Sequence, residues 1–191
     1  MEPRRLCVPS GNEITVPFWT RSEPRDTKDE SNMNGLRIRD ARRYDSDGIG
    51  VLWRELMLYH RALDPRFDYA PEAEHRYIRH AQDMMRSRDA RVLVAEEAVS
   101  GQLVGYLMGE LQMRHVSPVP GTYGFIGDAF VREEWRQRGV GTALFEEIRQ
   151  WFIARKALAI ELYVAEANPV GQSFWQSMGL ESYLKLVHMD L

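Results

Sequence analysis

An apolar run, a turn with two glycines two residues apart and a helical pattern follow one another between residues 123 and 155. No other feature constrains the fold as much. The run is 123–131, and the turn reads Arg136-Gln137-Arg138-Gly139-Val140-Gly141-Thr142. Val140, Leu144, Ile148, Trp151 and Phe152 then recur at helical spacing. Strand, glycine turn and helix in that order aim backbone N–H groups and the positive end of a helix dipole at an anion. The glycines let a ligand approach the main chain. Arg132, Arg136 and Arg138 crowd the turn with charge that a purely packing turn does not need. A pyrophosphate is the ligand this implies. A Walker-type phosphate loop would need Gly-Lys-Ser/Thr, and a dinucleotide fingerprint would need a third glycine where residue 144 is Leu.

Around this unit the chain divides in two. Residues 1–35 hold four of the nine prolines and alternating charges with no period, which predicts a mobile leader; residues 36–191 read as the folded domain. In the domain, 36–40 alternates apolar and polar as a strand. Asp45, Ser46 and Asp47 offer N-caps to a helix that Asp64-Pro65 stops. Pro71 suits the first turn of the next helix. Strands are expected at 91–95 and 102–114, with a bulge or bend near Gly105 and Gly109. The run to Val131 reads as the central strand. A strand at 158–164, a short helix from Asn168-Pro169 to Gly179 and a closing strand at 180–191 follow. That order predicts a mixed sheet with helices on its faces.

Composition narrows the function. Net charge is −3, so nothing favours nucleic acid or an anionic membrane surface. No apolar run reaches the ~18 residues of a membrane span. The one cysteine, Cys7, excludes an intramolecular disulfide and fits a reducing, cytoplasmic setting. The five histidines show no metal-ligand spacing, so no metal is expected.

The segment Asp128-Ala129-Phe130-Val131 followed by Glu134-Trp135-Arg136-Gln137-Arg138-Gly139-Val140-Gly141-Thr142 resembles the acetyl-CoA signature of the GNAT superfamily of N-acyltransferases. Asn168-Pro169-Val170-Gly171 through Phe174-Trp175 to Gly179-Leu180 is similar to that family's second signature. The resemblance implies an α/β (α+β) fold with a mixed, mostly antiparallel sheet of about six to seven strands flanked by four helices. It implies transfer of acetyl from acetyl-CoA directly to a primary amine of a small molecule or peptide, without an acyl-enzyme. The exposed sheet edges of such folds are compatible with a homodimer.

By the same resemblance, main-chain groups along Ala129, Phe130 and Val131 would pair with the pantetheine arm as an added strand. N–H groups of Arg136, Gln137, Arg138, Gly139, Val140, Gly141 and Thr142 would cradle the pyrophosphate, with the arginines adding charge. Asn168 would hydrogen-bond the cofactor, or simply cap its helix. Asp128, a carboxylate in an apolar strand, is the candidate base, since burial favours its protonated form. It could equally bind the substrate ammonium or be a hydrogen-bonded structural Asp. Glu110 is the second choice for the base. Asp64, Asp68, Glu72 and Glu74 would suit a cationic amine, or form a solvated face. The sequence departs from the family at the acid: the usual tyrosine is Trp175, whose indole N–H cannot usefully be given up as an acid. Tyr163 or Tyr183 could serve instead, or the protein could be a catalytically weak or inactive CoA-binding regulatory module. Tyr163 also stands where a branch acetylating protein N-termini often has Glu, which counts against that substrate.

Overall fold

A computed structural model describes residues 32–33, 35–114 and 121–189. Asn32, Met33 and Gly35 apart, the expected leader lies outside these residues, as do Cys7 and His115. The elements run β1 (Asn32–Met33), β2 (Leu36–Asp40), α1 (Ser46–Leu63), α2 (Ala73–Arg86), β3 (Ala90–Glu97), β4 (Leu103–Arg114), β5 (Gly121–Val131), α3 (Val140–Ala154), β6 (Ile160–Leu162) and α4 (Pro169–Ser177). The strands form one sheet in sequence order, antiparallel except for the β5–β6 pair. This is the expected mixed, mostly antiparallel sheet with four helices.

Two apolar cores lie on opposite faces of the sheet. On one face Val140, Leu144, Phe145, Ile148 and Phe152 of α3 pack on Leu93, Leu107 and Ile126, with Phe174 and Trp175 of α4 beside them. On the other, Ile49, Leu52, Trp53 and Leu56 of α1 and Tyr77, Ala81 and Met84 of α2 pack on Val92, Tyr106, Met108 and Phe130. Helices of 3.6 residues per turn and strands of period two turn the sequence pattern into these two layers. Asp45 precedes α1 but makes no capping bond. Its carboxylate accepts both arms of the Arg39 guanidinium, at 2.6 and 2.9 Å, and the Arg42 N–H at 2.6 Å. Arg39 also pairs with Glu96, so one buried clamp ties β2, β3 and the start of α1. Removing one member of such a clamp costs about 3–5 kcal/mol.

Two expectations about the strands fail. β5 is not central: it lies next to the edge, and its outer neighbour β6 pairs with it only at Gly124, Phe125 and Ile126. Residues 180–189, expected as a closing strand, form none. Leu186 and Val187 are 86% and 84% exposed, and this segment is linked to the region around β6 by side chains, Tyr183 to Glu161 and Lys185 to Glu166. A three-residue β6 offers too short a ladder for the apolar alternation of 184–187 to be captured.

Candidate active site

The site forms where β5 outruns β6. Beyond Ile126 the outer edge of β5 has no strand beside it among the described residues. The Arg132 N–H bonds to Val104 O at 2.9 Å, so the antiparallel alternation turns the main-chain groups of Phe130 toward β4 and those of Ala129 and Val131 toward the open side. That open edge leads into the turn before α3.

The turn is built by two residues in left-handed conformation, Gln137 at φ 58° and Gly139 at φ 81°. Gly139 is the N-cap of α3, and the first helical bond runs from Ala143 N–H to Gly139 O. The N–H groups of Val140, Gly141 and Thr142 therefore have no partner within the helix, and they share its positive end. The two glycines do different work. Gly139 is required for its φ, whereas a Cβ on Gly141 would stand 3.1 Å from the Phe174 ring, so Gly141 lets α4 close on α3.

The three arginines also separate. Arg132 is held by Glu55 of α1 through two bonds of 3.0 and 2.7 Å and does not serve the turn. Arg136 donates from Nε to Val131 O at 2.9 Å, with its guanidinium 5.3 Å from the Tyr59 ring centroid and 5.7 Å from that of Phe130. Arg138 lies over Trp135 at 5.1 Å. A cleft of about 450 Å³, lined by Tyr59, Phe130, Glu133, Arg136 and their neighbours, opens at this end of β5. Asn168, 8% exposed, accepts from Gly171 N–H at 2.9 Å as the cap of α4, and from the Tyr59 hydroxyl at 3.1 Å.

Asp128 owes its direction to a bulge. Met108 pairs with Asp128 and Gly109 with Ile126, so Gly127 is an extra residue with no partner on β4. In a regular strand residues 126 and 128 would share a face. Instead Ile126 points into the α3 core and Asp128 toward α2, where its Oδ2 accepts from the Tyr77 hydroxyl at 2.9 Å. Bulges beside active sites commonly re-aim a side chain in this way. Tyr77 also meets Tyr106 Oη at 3.1 Å. Burial pushes both phenols well above their ordinary range, so both stay protonated. An ionised carboxylate only accepts, so the Tyr77 proton lies toward Asp128.

Burial likewise raises the Asp128 carboxyl above its ordinary value; the Tyr77 bond and the nearby His80 and His60 oppose it without cancelling it. His60 moves down, because burial outweighs the attraction of Asp128, and its imidazole is neutral at neutral pH. Glu110, the second candidate base, instead accepts from Gln112 at 2.8 Å. Of the two substitute acids, Tyr163 is 82% exposed with its ring against Phe125, and Tyr183 is exposed and donates its hydroxyl to Glu161. Trp175 packs against Phe145 and Phe174. Sequence reasoning gave no role to Tyr59 or Tyr77. Nothing in a helical pattern tells a core tyrosine from one whose hydroxyl reaches a carboxylate. Among the described residues no three His, Cys, Asp or Glu cluster as a metal site, and no helix is long and apolar enough to cross a membrane.

A family model described as the acetyltransferase (GNAT) family matches residues 54–180. The chain belongs to that family. Solved structures share the fold. The BH1408 protein from Bacillus halodurans, as a tetramutant, is 23% identical with a TM-score of 0.70, over 81% of this chain and 99% of that one. The aminoglycoside N-acetyltransferase AAC(6')-Iy in complex with CoA is 15% identical with a TM-score of 0.64, over 82% and 94%. An aminoglycoside acetyltransferase, meta-AAC0020, from an uncultured soil metagenomic sample and bound to sisomicin is 18% identical with a TM-score of 0.61, over 84% and 98%.

Proposed function

We propose that this protein transfers an acetyl group from acetyl-CoA directly to a primary amine. The observation that carries the reading is the open edge of β5, with Ala129 and Val131 facing outward, running into the turn that starts α3. Such an edge accepts an extended amide chain, and such a turn accepts a pyrophosphate. The residues present fit the group. Ala129 and Val131 would pair with the pantetheine arm, the Val131 carbonyl exchanging its Arg136 bond for the arm. The main chain of Gln137 to Thr142 would hold the pyrophosphate, with charge from Arg136 and Arg138. Asn168 would border the arm from α4.

When bound, acetyl-CoA supplies an acetyl group activated as a thioester. Asp128 takes a proton from the acceptor ammonium at its carboxylate, freeing the nitrogen lone pair; its raised pKa brings it nearer to that task. The amine nitrogen would bond to the carbonyl carbon as the carbon–sulfur bond breaks, the departing thiolate would take a proton from a donor, and the second proton lost by the nitrogen would restore that donor. With Trp175 unable to serve, the Tyr59 hydroxyl is the donor beside Asn168 on this side of the cleft.

Trp175 is also what favours the second reading, a CoA-binding module without turnover. A thiol-release assay on the purified full chain, with acetyl-CoA and an amine panel, separates the two. Release of CoA that depends on an added amine is expected. Thermal stabilisation by acetyl-CoA with no release would favour the module, and no stabilisation would overturn both.

A further inference from the structure

The acceptor class follows from the charges on the wall that faces Asp128. That wall is residues 54–80, from the second half of α1 into α2; it supplies Tyr77, which bonds Asp128, and His60 and His80, which lie near it. It carries five carboxylates and five arginines. Each carboxylate has an arginine: Glu74 with Arg54 at 3.1 Å, Asp68 with Arg61 at 3.4 Å, Glu72 with Arg76 at 3.4 Å, Asp64 with Arg66, and Glu55 with Arg132 at 2.7 Å. The acids expected to receive a cationic substrate are therefore neutralised by their own neighbours. A polycation needs an excess of negative charge over several ångströms, and this wall has none. Asp128 is different: it is half-buried, and its hydrogen bond comes from a phenol rather than a guanidinium.

What the wall offers besides is rings. Tyr69 meets Trp53 edge-on at 5.4 Å, Trp53 stacks on Tyr77 at 4.7 Å, and Phe67 meets His60 at 5.1 Å. Tyr69 and Phe67 are only half-buried, so their outer surfaces are open to a ligand. Rings linked through His60, Trp53 and Tyr77 to a lone carboxylate suit one ammonium on an apolar or aromatic body.

We propose that the acceptor is a monoamine, its single ammonium received by Asp128 and its uncharged aromatic or aliphatic body lying on Phe67 and Tyr69. This rests on the acetyl-transfer reading. Every further cationic centre would meet carboxylates already paired with arginines, with no excess negative charge to receive it, which selects against polyamines and aminoglycosides.

The test gives the full chain and acetyl-CoA a panel of 2-phenylethylamine, hexylamine, spermidine and sisomicin, and reads released CoA thiol. A kcat/KM for the monoamines about tenfold or more above both polycations is expected. The monoamine rates should change little between low salt and about 0.5 M salt. A double variant, Arg61→Ala with Arg76→Ala, unpairs Asp68 and Glu72; it should raise kcat/KM for spermidine several-fold and leave 2-phenylethylamine unchanged. Preference for spermidine or sisomicin by the unmodified protein overturns the monoamine assignment alone, as does a double variant with an unchanged ratio. Absence of release with every amine overturns the acetyl-transfer reading and this assignment with it.

Discussion

The two halves of the site are made of different material. The half assigned to acetyl-CoA is one continuous stretch, the end of β5 through the first turn of α3, and it works through its main chain: an unpaired strand edge, two left-handed residues and helix N–H groups. The half assigned to the amine is made of side chains from four elements. Tyr77 reaches Asp128 across 51 residues of sequence, and Tyr106 and His60 come from β4 and α1. A main-chain site tolerates many side chains as long as its backbone is kept. A side-chain site can change partners with single substitutions while the fold stands. On the proposed function, one half is therefore a fixed platform for a common donor, and the other sets which amine is used.

The strongest way to break this division is at Asp128. Asp128→Asn keeps shape and burial but removes the base. It should lower kcat by about 10³-fold, with acetyl-CoA affinity unchanged by calorimetry. Stability should move the other way. Burial raises the carboxyl above its ordinary value of 3.8. Between the two values the folded chain holds a proton that the unfolded chain has lost, so stability falls as pH rises through this window and stays lower above it. The Asn variant escapes that loss, and its Tm at neutral pH should exceed that of the parent. A variant with normal kcat and lower Tm would make Asp128 a structural residue.

On the other half, Gly141 separates backbone from bulk. Gly141→Ala pushes only on Phe174, so it should cost about 1–2 kcal/mol in denaturant stability and change acetyl-CoA affinity little. Gly141→Glu adds a negative charge at the helix start and should weaken acetyl-CoA by about 100-fold or more. Equal losses for Ala and Glu would mean that the glycine matters through α4 and not through an anion.

The same division explains what was legible in the sequence. The turn, the helix it opens, α1, α2 and the Asn168 cap of α4 could all be read, because each is specified by local periodicity, caps and glycines. The bulge expected near Gly105 is present, with Val104 of β4 an extra residue against β3, but the one that aims Asp128 is Gly127 on β5, since only the pairing register says which strand carries it. The closing strand failed because alternation at 184–187 says nothing about whether a neighbour is there to pair with. Asp64, Asp68, Glu72 and Glu74 stood as either a cation site or a solvated face, because their charge is visible in the sequence and their arginine partners are not. Tyr59 was invisible, since its partner Asn168 is 109 residues away.

The smallest expected effect is the sharpest test of the side-chain half. Tyr77→Phe keeps the ring that stacks on Trp53 and removes only the hydroxyl bonded to Asp128. That bond opposes burial and draws the carboxyl down. Without it the carboxyl rises further, and the acid limb of the kcat/KM profile should move to higher pH. At neutral pH kcat should fall by about tenfold. A hydrogen bond to a charged group is worth about 1.5–3 kcal/mol, so some stability should be lost as well. Stability alone cannot separate a positioning role from a packing one, but the shift of the acid limb can, because a ring that only fills space has no hold on the carboxyl proton. The double variant with Asp128→Asn completes the cycle. If Tyr77 acts through Asp128, its loss should cost little more activity once Asp128 is gone, whereas additive losses and an unmoved acid limb would leave Tyr77 as a core residue whose hydroxyl happens to lie close to a carboxylate.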